Sequence, residues 1–90
     1  MIGRVLKFSA GWCAPCKAYA KTFHEVSEDE RFKGVSFEEI DIDENDELVE
    51  KYRIMSVPTT IVLDDNDSFI CMKTGNLPKS ILEEMLTGKE

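Results

Sequence analysis

Basic residues are few in this chain: eleven lysines and arginines stand against eighteen aspartates and glutamates, a formal net charge of -7. Such a surface repels phosphate backbones and argues against nucleic acid as a partner. Long apolar runs are missing too. Nothing approaches the run of about eighteen residues that a membrane span needs. The short apolar start from Met1 to Phe8 is interrupted by Arg4 and Lys7, unlike a secretory leader. The chain therefore reads as a soluble, cytoplasmic, monomeric protein with neither a membrane nor a nucleic-acid partner. Cysteine is scarce as well: three residues, an odd number, do not make a disulfide framework. In a reducing compartment a close thiol pair is more readily catalytic or metal-binding than a structural staple. Ninety residues leave room for one domain, residues 1–90, with one modest core.

The acid is spread over Glu28 to Glu30, Asp41 to Glu47 and Asp64 to Asp67, which reads as solvated surface and turns rather than a docking patch. Between these runs the apolar pattern alternates between two periods. "IGRVLKFS" (Ile2 to Ser9) predicts a strand. From Pro15 the stripe Ala18, Tyr19, Phe23 and Val26 predicts a helix to about Asp29, with Pro15 in its first turn, where a missing N–H costs nothing. Val35 to Asp43 predicts a second strand, and Asn45 to Ile54 carries Leu48, Val49 and Tyr52 at helical spacing. Thr59 to Asp64 and Ser68 to Lys73 flank the turn-rich "DDND" as a hairpin, and Leu77 to Leu86 closes with an amphipathic helix. The order βαβαββα implies two parallel strands joined by a right-handed crossover and a later antiparallel hairpin. The result is a four-stranded mixed sheet flanked by helices.

"WCAPCK" (Trp12 to Lys17) puts Cys13 and Cys16 where the first strand hands over to the first helix. Free backbone N–H groups and the positive end of the helix dipole favour an anion there, and a thiolate is one. Cys13 is expected at the helix start, the more exposed of the two and with a lowered pKa; Cys16 is expected one turn inside, within reach of its sulfur. This asymmetry fits a two-step exchange in which Cys13 attacks a partner's disulfide and Cys16 then releases the reduced partner. Trp12 supplies an apolar edge and Pro15 stiffens the turn that sets the redox poise. A structural zinc site would need two further ligands, and only Cys71 and His24 remain, at no recognised spacing. A purely structural disulfide across so short a loop would constrain little of the unfolded chain.

With "SVPTT" (Ser56 to Thr60) ahead of the third strand and "KTG" (Lys73 to Gly75) before the last helix, the sequence resembles the thioredoxin family over nearly its whole length. The resemblance implies a thioredoxin-like fold, Cys13 as nucleophile, Cys16 as resolving thiol, and a cis bond between Val57 and Pro58 facing Cys13. Read without it, Pro58 is an ordinary strand-start proline. Trp12, Val57, Pro58, Thr74 and Gly75 would form the rim on which partners dock, the backbone of Val57 pairing with an extended segment.

Three departures stand out. The chain starts at what would be the family's second strand, the minimal, glutaredoxin-like form of the fold. Ala14 replaces the usual glycine between the cysteines. Lys7 stands where the family commonly has a buried aspartate, and its partner on the next strand aligns as Glu39, a sign-swapped pair. A charged Lys7 would tune the thiols electrostatically and a neutral one could accept a proton; alternatively it reaches to solvent from its strand end. Cys71 reads as a small core residue and His24 as a solvated one. Asp41, Asp43 and Asn45 begin like a calcium loop, but Asp46 and Tyr52 stand where that loop needs glycine and glutamate.

The expected function is a thiol-disulfide oxidoreductase reducing protein disulfides through Cys13 and Cys16. It would bind no cofactor or metal and be recharged by a thioredoxin-reductase-like or glutathione-based system. The alternatives are a glutaredoxin-like electron donor, for example to ribonucleotide reductase, and a non-redox binding subunit built on the same fold.

Overall fold

The apolar opening segment forms β1 (Ile2–Ser9), an inner strand of the sheet. In the computed structural model, which describes residues 1–88, β1 lies between a parallel partner, β2 (Ser36–Asp41), and an antiparallel one, β3 (Thr59–Asp64). β3 pairs in turn with β4 (Phe69–Thr74) through a hairpin, giving the sheet order β2-β1-β3-β4 among the described residues. The parallel pairing requires a crossover, which α1 (Ala14–Ser27) supplies; α2 (Asp46–Lys51) and α3 (Lys79–Thr87) complete the order βαβαββα. The mixed sheet and its flanking helices are those the hydrophobic patterning predicts.

Alternation along β1 divides the interior in two. Val5 points with Val62 to the side covered by α1 and α3, where Tyr19, Phe23, Val26, Leu82, Met85 and Leu86 pack. Leu6 and Phe8 point with Ile61 and Leu63 to the other side, under Leu48, Val49 and Tyr52. Rings lock both halves: Phe23 packs edge-on against Phe37 with centroids 5.5 Å apart, and Phe8 against Tyr52 at 6.1 Å.

The element ends differ from the sequence expectation for local polar reasons. α1 stops at Ser27 rather than near Asp29 because the Asp29 carboxylate turns to accept the Arg31 N–H and cap a 3-10 turn, Glu30–Phe32. β2 is shorter than Val35 to Asp43 because Asp41 starts a turn, its side chain accepting from the Asp43 N–H. α2 ends at Lys51, three residues early, since Arg53 adopts φ 53°, outside the helical region. β4 begins at Phe69 because the Asp64 carboxylate captures the N–H groups of Asn66 and Ser68 and keeps Ser68 in the turn. α3 starts at Lys79 after Pro78, two residues later than the apolar pattern suggests. Gly3 is required by close approach: a Cβ there would lie 2.7 Å from the Asp64 carbonyl oxygen.

Candidate functional site

Beyond β1 the chain turns through Ala10, Gly11 and Trp12, closed by the Cys13 N–H donating to the Ala10 carbonyl. Cys13 is extended, φ -97° and ψ 108°, and serves as the N-cap of α1, with Pro15 in the first turn. Its sulfur takes the place of a capping oxygen: the Cys16 N–H donates to Cys13 Sγ at 3.1 Å. The two residues are joined by a disulfide, their Cα atoms 5.2 Å apart. A backbone donor and the helix N-terminus both aim positive charge at the Cys13 sulfur, which favours it as a thiolate once the bond is reduced.

Cys13 is the more exposed thiol, as expected, but by a narrow margin. Cys13 is 5% exposed and Cys16 3%, both buried. The cause is the segment before β3, which folds over the disulfide. Ala10, Ile42 and Val57 pack around the cysteines, and the Val57 carbonyl oxygen lies 3.7 Å from Cys13 Sγ. The Val57–Pro58 peptide is cis. The Gly75 N–H donates to the Pro58 carbonyl at 2.8 Å, and Gly75 takes φ 98°, so the end of β4 is tied to the same loop. Of the five residues expected at the rim, Val57 lies against the disulfide, Trp12 shares a hollow with Val57, Gly75 is tied to Pro58, and Thr74 pairs with Thr59 at the end of β4.

Trp12 is 69% exposed, its indole N–H donating to Asp43 Oδ2 at 3.2 Å. Beside it Ile42, Ile54, Met55 and Val57 line an apolar hollow of about 330 Å³. Asp43 and Met55 escape sequence reasoning. The acidic run around Asp43 looks like plain surface, and nothing local marks Met55, which is 93% exposed.

On the opposite side of the disulfide a second cleft, about 440 Å³, is lined by Ser9, Cys16, Lys17, Ala20, Glu39 and Asp41 among others. Lys7 lies below it. Its side chain does not reach solvent: it is 3% exposed, with Nζ 3.4 Å from Glu39 Oε2 and 5.2 Å from the centre of the Phe23 ring. Ser9 Oγ donates to the same Glu39 oxygen at 2.8 Å. Lys7 and Glu39 face each other in the β1–β2 register, as the alignment of the sign-swapped pair requires. Next along the sheet, the Tyr19 hydroxyl and Thr60 Oγ1 are 2.7 Å apart. Burial pushes the Tyr19 phenol up to about 12, against the opposing effect of that hydrogen bond. His24 is exposed on α1, and Cys71 is half-buried against the α3 side of the core.

Comparison with known proteins agrees with this geometry. The thioredoxin family profile matches residues 3–88. A thioredoxin of Mycoplasmoides gallisepticum is 37% identical over 82 residues, covering 91% of this chain and 79% of that protein. A thioredoxin of Bacillus subtilis is 38% identical over 79 residues, covering 88% and 74%. The solved thioredoxin of Fasciola hepatica superposes with a TM-score of 0.83 at 26% identity, covering 97% of this chain and 80% of that one. That of Trypanosoma brucei brucei gives 0.83 at 27% identity, covering 98% and 74%.

Proposed function

This chain belongs to the thioredoxin family and is a dithiol protein-disulfide oxidoreductase, and from that premise we propose how its residues divide the reaction. In the reduced protein Cys13 attacks a sulfur of the partner's disulfide, forming the Cys13–partner bond and expelling the partner's other sulfur as thiolate. Cys16 then attacks Cys13 Sγ, the internal disulfide forms, and the partner leaves fully reduced with two electrons gained. The observation that carries this order is the Cys16 N–H donated to Cys13 Sγ at the helix start, which stabilises negative charge on Cys13 rather than on Cys16.

The partner's chain lies extended against Val57 and the cis Pro58, with Trp12, Thr74 and Gly75 completing the rim; main-chain pairing at Val57 suits many sequences. Trp12 and Pro15 tune the couple by shielding it and stiffening its turn. The family implies a recharging reductase, and we take it to be of the thioredoxin-reductase type, acting in the cytoplasm.

Trapping tests the order of attack. Cys16→Ser should accumulate a mixed disulfide with insulin through Cys13, and Cys13→Ser should not; the reverse pattern overturns the assignment. A reduction potential near about -270 mV supports a thioredoxin role, whereas about -200 to -230 mV with efficient reduction by glutathione would move the protein to a glutaredoxin-like donor. A double serine variant that kept its partner and its biological effect would instead make it a binding subunit.

A further inference from the structure

The mechanism above leaves one buried charge unused. Lys7 is 2% exposed in a sheet interior, where an ammonium is expensive unless partnered. Its ion-pair partner Glu39 is 63% exposed by its side chain and lines the cleft that also contains Cys16. The two charges are therefore not equivalent at the sulfur. The field of the carboxylate is screened by water, whereas that of the ammonium passes through packed protein.

We propose that Lys7 is a positioning residue for the second step: its buried ammonium, with Glu39 as a solvent-side counter-ion, favours the thiolate of Cys16, whose proton leaves to water through the cleft. The step balances. Cys16 gives its proton to water and its electron pair to Cys13 Sγ, the Cys13–partner bond breaks, and the partner's thiolate takes up a proton from solvent. No buried base is needed. The inference rests on Cys16 being the resolving thiol.

The surroundings of Cys16 allow the sign to be worked out. From β1 come Lys7 and the neutral Ser9, from β2 the carboxylates of Glu39 and Asp41, and from α1 Lys17 and the neutral Tyr19. Lys17, Glu39 and Asp41 sit at the cleft wall within reach of solvent, so their opposed charges act weakly; Lys7 lies inside. Cys16 and Phe23 are both buried on one side of α1, seven positions or about 10 Å apart along the axis. The ammonium sits 5.2 Å from the centre of the Phe23 ring and 3.4 Å from Glu39, which shares a cleft with Cys16, placing it on the order of 10 Å from that residue. At an effective dielectric constant of about 20, a unit charge at about 10 Å changes a thiol's ionisation by about tenfold, and the rim carboxylates, present with or without Lys7, do not alter that difference.

The test uses the full chain with Cys13→Ser, so that Cys16 titrates without its partner thiol, followed by thiolate ultraviolet absorbance against pH. Lys7→Met keeps the stem over Phe23 and should cut the thiolate fraction at neutral pH by about tenfold, moving the titration upward. Lys7→Arg, which keeps the charge, should restore it. An unmoved or downward-moved titration in Lys7→Met removes Lys7 from the mechanism, as does Lys7→Arg behaving like Lys7→Met. If Lys7→Met fails to fold, Lys7→Gln, which still donates to the Glu39 carboxylate, carries the same expectation and the same refutation. This readout does not depend on which cysteine attacks first. Failure of the insulin trapping would overturn the order of attack, and failure of the titration would overturn the role of Lys7 alone.

Discussion

The two faces of the sheet are built on different principles. The face under α1 and α3 carries helices of 14 and 9 residues, yet it admits a polar stripe of Lys7, Ser9, Tyr19 and Thr60, each with a partner. The face under α2 has a helix of only 6 residues, each exposed or half-buried, and beneath it lies an apolar layer of Leu6, Phe8, Ile40, Ile61 and Leu63. Thicker cover goes with the charged interior, because only a well-shielded, paired ammonium acts at a distance; thin cover suffices where packing alone is needed. The dithiol stands at the head of the thick face, and the other face acts as its rigid floor.

This contrast is most severely tested by emptying the floor. Phe8→Ala removes a fully buried ring packed on Tyr52 and should cost about 3–5 kcal/mol in urea unfolding, while leaving the Cys16 titration of the folded fraction where it was. A shifted titration would mean that the two faces are not separable. A smaller effect is expected from the polar stripe. Tyr19→Phe keeps the ring but leaves Thr60 Oγ1 without its buried partner, a loss of about 1–2 kcal/mol by the same measurement.

That substitution has a pH signature. The folded phenol is raised to about 12 above an ordinary 10.0, so the neutral form is favoured by folding. Its contribution is complete below the ordinary value and is lost as pH rises through the folded one. Thermal midpoints should therefore fall more steeply between those values for the native chain than for Tyr19→Phe; parallel curves would show that Tyr19 ionises equally well folded and unfolded. The smallest effect belongs to the half-buried Asp29. Arg31 donates to its carboxylate and holds it down to about 2 from an ordinary 3.8, so its contribution is present above the ordinary value and fades as pH falls through the folded one. Asp29→Asn should lower the midpoint slightly at neutral pH and not at all in strong acid. An equal deficit at every pH would assign the loss to the cap rather than to the charge.

Much of this molecule can be read from its residues. β1 and β3 fall on the predicted spans because Ile2 to Ser9 and Thr59 to Asp64 are dense in β-branched and aromatic residues with no competing polar cap. Where Asp29, Asp41 and Asp64 bind nearby backbone N–H groups, the boundaries move, since such bonds depend on side-chain direction and leave no periodic trace. The cysteine pair is placed by its motif, but its burial is not, because the covering residues come from the loop at Val57, distant in sequence. Lys7 shows the same limit: periodicity marks a strand position facing α1, while the depth of its ammonium is set by Phe23 and Glu39 together.

The strand order also fixes a sequence of events in time. β1 leaves the ribosome before β2 and β3, yet Lys7 must find Glu39 on one side and Thr60 on the other before either edge is satisfied. Pairings this far apart in the chain are slow to close, and until β3 has been made, Leu6 and Phe8 wait without their full covering, open to association with other nascent chains or to a chaperone. The dithiol at the end of β1 is synthesised before the loop at Val57 that covers it. The covered form of the dithiol is thus assembled only after β3 and the loop ahead of it have been made.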